Sequence, residues 1–514
     1  MRKLPATLSA IAIAFSLTGL AAFSQAPATP TAAVPASEDA RLTEFLDAEF
    51  AELVKRQPQL ATRLGIKDGG DRWNDIGDAA ELVAWRKASA ARMKARFDRA
   101  KLSPEAQVNF DIWALEAERA ELSHANRLYR PPFYSRLYSV HSQLPDFLIN
   151  THSVEDATDL RNYIARLRGM PAVLDVAIAR TRASEAAGIR VPKFQVETII
   201  SSSEKLTSGA PFGPGADAAL WADVKAKAAA LVKAGKLSQS EADALLREAE
   251  AAILDLKPAY GRVIAWAKES LPTAPSGKVG AVTLPGGLAY YANELKLNTT
   301  TDLTADQIHA IGLSEVARIE AEQDALARQA GFKDRHAFYA ERARLYPPVP
   351  YNDELRKEYL DTANAFVART RTLLGPWFGT LPAYGIEVVR EPAFSEVPGG
   401  AAHASAPSPD GKRPARTYVH LVGMRPDPAA MYTLMCHEAV PGHNMQGDIQ
   451  VRQQGGPKFR AVTGYVAFGE GWALYAEALC KEMGPFPDIA ADFMRLDAEL
   501  FRAARLVVDT GLHA

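Results

Sequence analysis

The stretch CHEAVPGHNMQ, from Cys436 to Gln446, holds three residues whose types could do hydrolytic chemistry: His437, Glu438 and His443. Imidazole nitrogens ligate zinc, and a glutamate beside them can take a proton from zinc-activated water. In the signature His-Glu-x-x-His the two imidazoles stand four residues apart, on one helix face. Here the spacing is six. Each helical residue turns about 100°, so a regular helix would point His443 about 240° away from His437, and the pair could not share an ion. Pro441 and Gly442 fall where the two additional residues must be absorbed. Proline removes a helical hydrogen bond and glycine frees the backbone, which predicts a helix that kinks or opens at this point.

A catalytic zinc site needs a third protein ligand and an open position for water. Glu470, in FGEGWALYAEAL, opens an apparent helix. The order Glu-Gly-aromatic-Ala-x-Tyr resembles the third-ligand helix of zinc aminopeptidases, although the glycine-methionine-rich amine-binding motif of those enzymes is absent. Glu477 follows seven residues later on the same helix face, as a competing ligand or as the carboxylate partner of an imidazole. A lone histidine near a helix end is usually structural, and a lone Glu470 would read as a solvated face. The ordered combination is what points to zinc.

Several long motifs extend the pattern. HEAVPGHNMQ and EGWALY, together with Thr299–Glu322 (TTTDLTADQIHAIGLSEVARIEAE) and Arg502–His513 (RAARLVVDTGLH), resemble the bacterial family called domain of unknown function 885, and the likeness covers most of the chain beyond its first residues. The resemblance implies a gluzincin-like zinc metallopeptidase in which His437, His443 and Glu470 bind Zn2+, with Gln446 in a supporting position. Members of that family continue with a further helical segment after TGLH, so by resemblance the chain is expected to stop short at Ala514.

The elements that must position these residues are mainly helical. Apolar residues recur at three- and four-residue spacing through DARLTEFLDAEFAELVKRQ, SPEAQVNFDIWALEAERAEL, the run from Asp156 to Gly188, and the alanine-rich stretch ending at Leu271. Thr304 caps another helix, and a further one spans roughly Asp353 to Leu374. Asp427 and Pro428 predict the start of the helix bearing His437, with Met431, Leu434 and Met435 on its buried side. Only GIEVVREP and RTYVHLV gather β-branched residues as strands do. PSPDGKRPAR reads as a turn. The expectation is a large helical metallopeptidase-like fold with a small β-sheet beside the active-site helix, RTYVHLV offering a sheet edge for an extended peptide.

MRKLPATLSAIAIAFSLTGLAAFSQA has the basic start, short apolar run and small-residue end of an export signal, followed by a Pro/Ala-rich tether. The expected organisation is a signal peptide over 1–26, a tether over 27–39, an N-terminal helical lobe over 40–271 and a catalytic lobe over 272–514, the two lobes forming one large domain. Export places the protein in the periplasm or outside the cell, without integral membrane association after signal cleavage. With 59 Lys+Arg against 61 Asp+Glu, the balance gives no footprint for nucleic acid. Two cysteines, Cys436 and Cys480, leave one bridge open but no disulfide framework.

On this reading Glu438 is the general base and then the acid to the leaving amine of a peptide. Tyr475, Arg505 and His513 are the candidate oxyanion donors, His513 first. Arg502, Arg505 and Asp509 share one helix face at three- and four-residue spacing. The family likeness places that row along the cleft, the arginines for a substrate carboxylate and Asp509 to orient a neighbouring donor. Two other readings stay open: a non-catalytic zinc-containing binding or scaffold protein, and a zinc hydrolase of another amide or ester.

Overall fold

The computed structural model describes residues 37–134, 139–393, 396–408, 410–453 and 455–514. The expected signal peptide, and the tether as far as residue 36, lie outside them. Glu38–Ala514 forms one compact unit. Its first half is helical: α1 (Glu38–Arg56), α2 (Pro58–Arg63), α3 (Ala80–Arg96), α4 (Pro104–Ala125), α5 (Val140–Asp146), α6 (Ala157–Ala186), α7 (Lys193–Leu206), α8 (Ala219–Lys233), α9 (Gln239–Leu254) and α10 (Leu256–Ser270).

Local sequence sets many of these boundaries. Ser103 accepts the Ala106 amide with Pro104 in the first turn of α4, and Ser238 and Glu241 close a reciprocal capping box on α9. The apolar stripes then meet. Leu160, Leu167 and Leu174 of α6 pack with Ile253 of α9 and with Tyr260 and Trp266 of α10, all almost wholly buried. Each such side chain stabilises the fold by roughly 1.5–3 kcal/mol. A polar knot ties α2 to α6: buried Arg166 donates to Thr62 Oγ1 (2.8 Å), the Arg72 carbonyl (2.9 Å) and His152 Nδ1 (2.8 Å).

The second half comprises α11 (Gly287–Thr299), α12 (Ala305–Gln329), α13 (Arg335–Leu345), α14 (Asp353–Thr372), three strands, and then α15 (Ala430–Glu438), α16 (His443–Val451), α17 (Val466–Met483) and α18 (Ile489–His513). Thr304 and Gln307 cap α12 as a capping box. A methyl group at Gly312 of α12 would come within 2.8 Å of Leu506 and Val507, so the bare glycine lets α12 and α18 lie close together.

The strands are β1 (Ile386–Arg390), β2 (His403–Ser405) and β3 (Ala415–Val419), in the order β1-β3-β2. β1 runs parallel to β3 with Val388 opposite Thr417, and β2 runs antiparallel with His403 opposite Tyr418. This corrects the expectation that RTYVHLV offers an edge. β3 is paired on both sides because β2, only three residues long, supplies a second partner that periodicity does not reveal. The outer side of β1 is also occupied: the Asn364 side chain bonds both the N–H and the carbonyl of Val388, at 3.0 Å each. β2 forms the remaining edge.

Candidate metal centre

The helix carrying His437 begins at Ala430, two residues later than Pro428. Asp427 accepts the Ala429 amide at 2.9 Å and pairs with Arg342 at 2.6 Å, so it caps the turn that leads in. Met431 and Met435 are buried and Leu434 is half-buried, which seats α15 in the cluster shared with the sheet, α14 and α17. The helix stops after Glu438, and α16 starts at His443. Pro441 has no amide hydrogen to continue the ladder. Gly442 lies so close to the His437 and Cys436 carbonyls that any Cβ would collide with both. Trp472 Nε1–H donates to the Pro441 carbonyl at 2.9 Å and fixes this turn to α17. Cys436 and Cys480 form a disulfide that joins α15 to α17 directly.

Through that break the two imidazoles converge, with ring centroids 4.8 Å apart. Glu470, on the first turns of α17, reaches both: Oε2 lies 3.4 Å from His437 Nε2, and Oε1 lies 3.7 Å from His443 Nε2. One donor atom from each of these three residues falls within 4.8 Å of the other two, so the trio could hold a metal ion. Glu470 keeps 60% of its side chain exposed while His437 keeps 6%, so the group is open on one side only.

The other face of His437 is held by carboxylate. Nδ1 lies 2.7 Å from Glu477 Oε1, and Glu477 is 1% exposed. Arg502 reaches the same carboxylate at 2.7 Å and 3.2 Å and donates to the Ala498 carbonyl. Arg502 also sits 3.0 Å from Nδ1. A guanidinium cannot accept a proton and the carboxylate can only accept one, so Nδ1 carries the hydrogen and gives it to Glu477. Nε2 is thereby turned toward Glu470 and His443, an arrangement common to metal-ligating histidines. Burial pulls the His437 pKa down, but its bonds with Glu470 and Glu477 more than offset this and push it up to about 9. Glu470 is held far below the usual carboxylate range by His437 first and His443 second.

Glu438 faces a different environment. It is buried, its Oε2 has no hydrogen-bond partner, and desolvation raises its pKa against the pull of the two imidazoles. A carboxylate kept dry beside two imidazoles is suited to accept and return a proton.

The family model for bacterial proteins of unknown function (DUF885) matches residues 58–514. The chain belongs to the DUF885 family. It is similar in fold to the crystal structure described as "the putative lipoprotein from Colwellia psychrerythraea", with a TM-score of 0.79 and 23% sequence identity over 93% of this chain and 84% of that one. Among curated proteins none matches it in sequence.

In this DUF885 protein the remaining candidates scatter. Arg502, expected on the substrate, is engaged with Glu477 behind His437. Arg505 is exposed and stacks over Phe501 (5.9 Å), so the charged row does not act as one surface. Asp509 accepts the Tyr291 hydroxyl at 2.6 Å. His513 Nδ1 accepts the Ala281 amide at 2.9 Å and its ring stacks on Tyr291, about 16 Å beyond Arg502 along α18. It is a docking residue of the helix end. Tyr475 is exposed, its ring near Trp472 (5.9 Å), and Gln446 is half-buried one turn past His443.

One neighbour escaped the sequence reading. His403 of β2 stacks on Tyr418 at 4.9 Å and lies close enough to Glu438 for each to influence the protonation of the other. A three-residue strand has no periodicity by which to find it.

Proposed function

We propose that this chain is an exported zinc-dependent peptidase, with His437, His443 and Glu470 as the zinc ligands and Glu438 as the proton carrier. The convergence of the three side chains, electrostatically coupled to a buried Glu438 whose Oε2 has no partner, is the observation that carries the reading. Two imidazoles and a carboxylate are a donor set that suits zinc, and the Glu477 carboxylate behind His437 is the support such a ligand requires. Zinc, when bound, supplies the Lewis acidity that activates water and polarises a carbonyl.

The protein's own groups do the rest. Glu438 Oε2 takes the proton of the attacking water and delivers it to the leaving amine. Glu477 and Arg502 hold His437 in one tautomer throughout. The exposed side of Glu470 keeps the site open to substrate, which favours a reacting centre over a closed structural one. β2, with His403 near Glu438 at one end, is the edge along which an extended peptide lies. Hydrolysis of another amide or ester uses the same groups, and the substrate assay decides between them.

Export is supported by the signal-like first residues and by the Cys436–Cys480 disulfide, which suits an oxidising compartment. No helix among the described residues is long and apolar enough to cross a membrane. The description of the Colwellia protein as a "putative lipoprotein" is in line with export. The test is digestion of a mixed peptide library by the purified chain, before and after chelation and again with zinc restored. Cleavage that disappears with the chelator and returns with zinc is expected; zinc-loaded protein that cleaves no peptide refutes the proposal.

A further inference from the structure

From the metal centre, β2 runs beside α16 toward the first half of the molecule. His403 stands near Glu438, and Ala406, one residue past the strand, packs so close to Gly447 that an added methyl would come within 2.9 Å. Three extended residues cover about 10 Å. Beyond Ala406 lies a cavity of about 370 Å³, lined by Arg63 and Lys67 from one side and Lys412 and Arg413 from the β2–β3 turn on the other.

The charges in this cavity divide into two groups. Its acids Asp159, Glu155 and Asp410 are matched by lysines: Lys67 lies 2.8 Å from Asp159 and as close to Asp156 outside the lining, and Lys412 lies 3.3 Å from Glu155 and 3.6 Å from Asp410. The arginines are not matched. Among the described residues neither Arg63 nor Arg413 has a carboxylate at ion-pair distance, although the charges of Asp146 and Asp410 respectively are felt from farther off. Arg63 rests over the Phe147 ring at 6.0 Å. Among the described residues Arg413 donates through Nη1 alone, to Ser405 Oγ (3.0 Å) and to the Ala406 carbonyl (2.8 Å). Its Nε and Nη2 hydrogens, the edge of the guanidinium that binds a carboxylate through two parallel bonds, have no acceptor among the described residues. Burial lowers the Arg413 pKa; Tyr418 and Asp410 oppose the fall, and the neighbouring charges of Arg416 and Arg63 add to it. A bound anion would relieve that repulsion.

We propose that Arg413 and Arg63 form a carboxylate subsite, which holds a peptide by its free C-terminal carboxylate or an acidic side chain about three residues from the bond cleaved. This inference rests on the peptidase reading for the cleavage but not for the binding. It moves substrate recognition from the helix α18 arginines to a turn and a helix end that meet across the cavity.

Binding tests it without turnover. The full chain carrying Glu438→Gln is titrated calorimetrically with penta-alanine as the free acid, as the C-terminal amide, and as an amide ending in aspartate. The free acid is expected to bind at least about tenfold more tightly than the plain amide, the scale of a charge-assisted bidentate pair. Arg413→Gln and Arg63→Gln should each shrink that ratio, and Arg413→Lys, which keeps charge but loses the fork, should restore it only in part. Recovery of affinity by the aspartate amide identifies a subsite that reads either carboxylate, and no recovery identifies one that reads the chain end; both uphold it. Equal binding of acid and amide, no binding of the acid, or a ratio unchanged by both glutamine variants overturns it. A preserved acid preference without peptide hydrolysis by the unsubstituted chain would sink the peptidase reading alone.

Discussion

Glu477 offers the sharpest test of how the site is built, since on the proposed reading it acts through His437, whose Nδ1 it holds. It is 1% exposed and joins two cationic or proton-donating partners, His437 Nδ1 at 2.7 Å and Arg502 at 2.7 Å and 3.2 Å. Glu477→Ala strands the His437 N–H and frees a guanidinium that keeps one bond, to the Ala498 carbonyl. Removing one member of a buried ionic group costs about 3–5 kcal/mol. Arg502 is 29% exposed and can be rehydrated, so about 3 kcal/mol of lost stability is expected. Glu477→Gln keeps an acceptor for Nδ1–H but loses the charge, and should weaken zinc about 10–100-fold, the range for carboxylates behind ligating histidines. Zinc competition against a chromogenic chelator and thermal melts with and without zinc read the two effects separately. Zinc affinity unchanged in both variants would refute the claim that Glu477 sets the tautomer and orientation of His437.

Glu438→Gln should keep zinc by metal analysis and lose at least about 100-fold in turnover, the scale of general acid–base catalysis, whereas His437→Ala and Glu470→Ala should lose the metal too; equal zinc loss in all three would sink the assignment of roles. Gly442→Ala drives a methyl group into the His437 and Cys436 carbonyls and should lower zinc affinity, as measured by the same competition, while the far-ultraviolet spectrum stays helical. His141, bonded to Ser139 and Ser202, and His152, which accepts from Arg166, are each held neutral by burial with pKa values lowered to about 4. Their unfolded forms protonate near pH 6.5, so stability is full above that value and is lost as pH falls from 6.5 toward 4, up to about 3 kcal/mol apiece; denaturant titrations of His141→Gln should show a flatter slope across that window. Reduction of Cys436–Cys480, which closes a loop of 44 residues, should destabilise the chain by about 4 kcal/mol in the chain-entropy account, measured as a lower melting temperature in reductant.

What could be read in advance was whatever depends on neighbours in sequence. Pro441 and Gly442 announced the break between α15 and α16 because the missing amide and the missing Cβ act within one turn. Thr304 likewise announced its helix through a cap that needs only the next three residues. Glu470 came within reach because its motif is long. The failures share a cause in tertiary placement. Arg502 and Arg505 are three residues apart and looked alike, but only the packing of α18 against α15 and α17 brings the first to Glu477 and leaves the second over Phe501. His403 and the centrality of β3 depend on a three-residue strand, and His513 on the distant Ala281 amide.

Phe459 is 2% exposed, and its ring meets Trp113 of α4 at 5.2 Å. Beside it the Lys458 amide bonds Asp47 at 2.7 Å and Arg460 bonds Asn109 at 2.6 Å. This short passage links the helix that ends the His443 segment to the helix that carries Glu470. His443 and Glu470 are thus spaced by a stretch of backbone whose anchorage belongs to α1 and α4, more than 300 residues earlier in the chain. The two ends of the protein cannot be treated as interchangeable modules: the second half expressed alone, or grafted onto another helical body, would keep His437, His443 and Glu470 and lose the ruler that sets the gap between them.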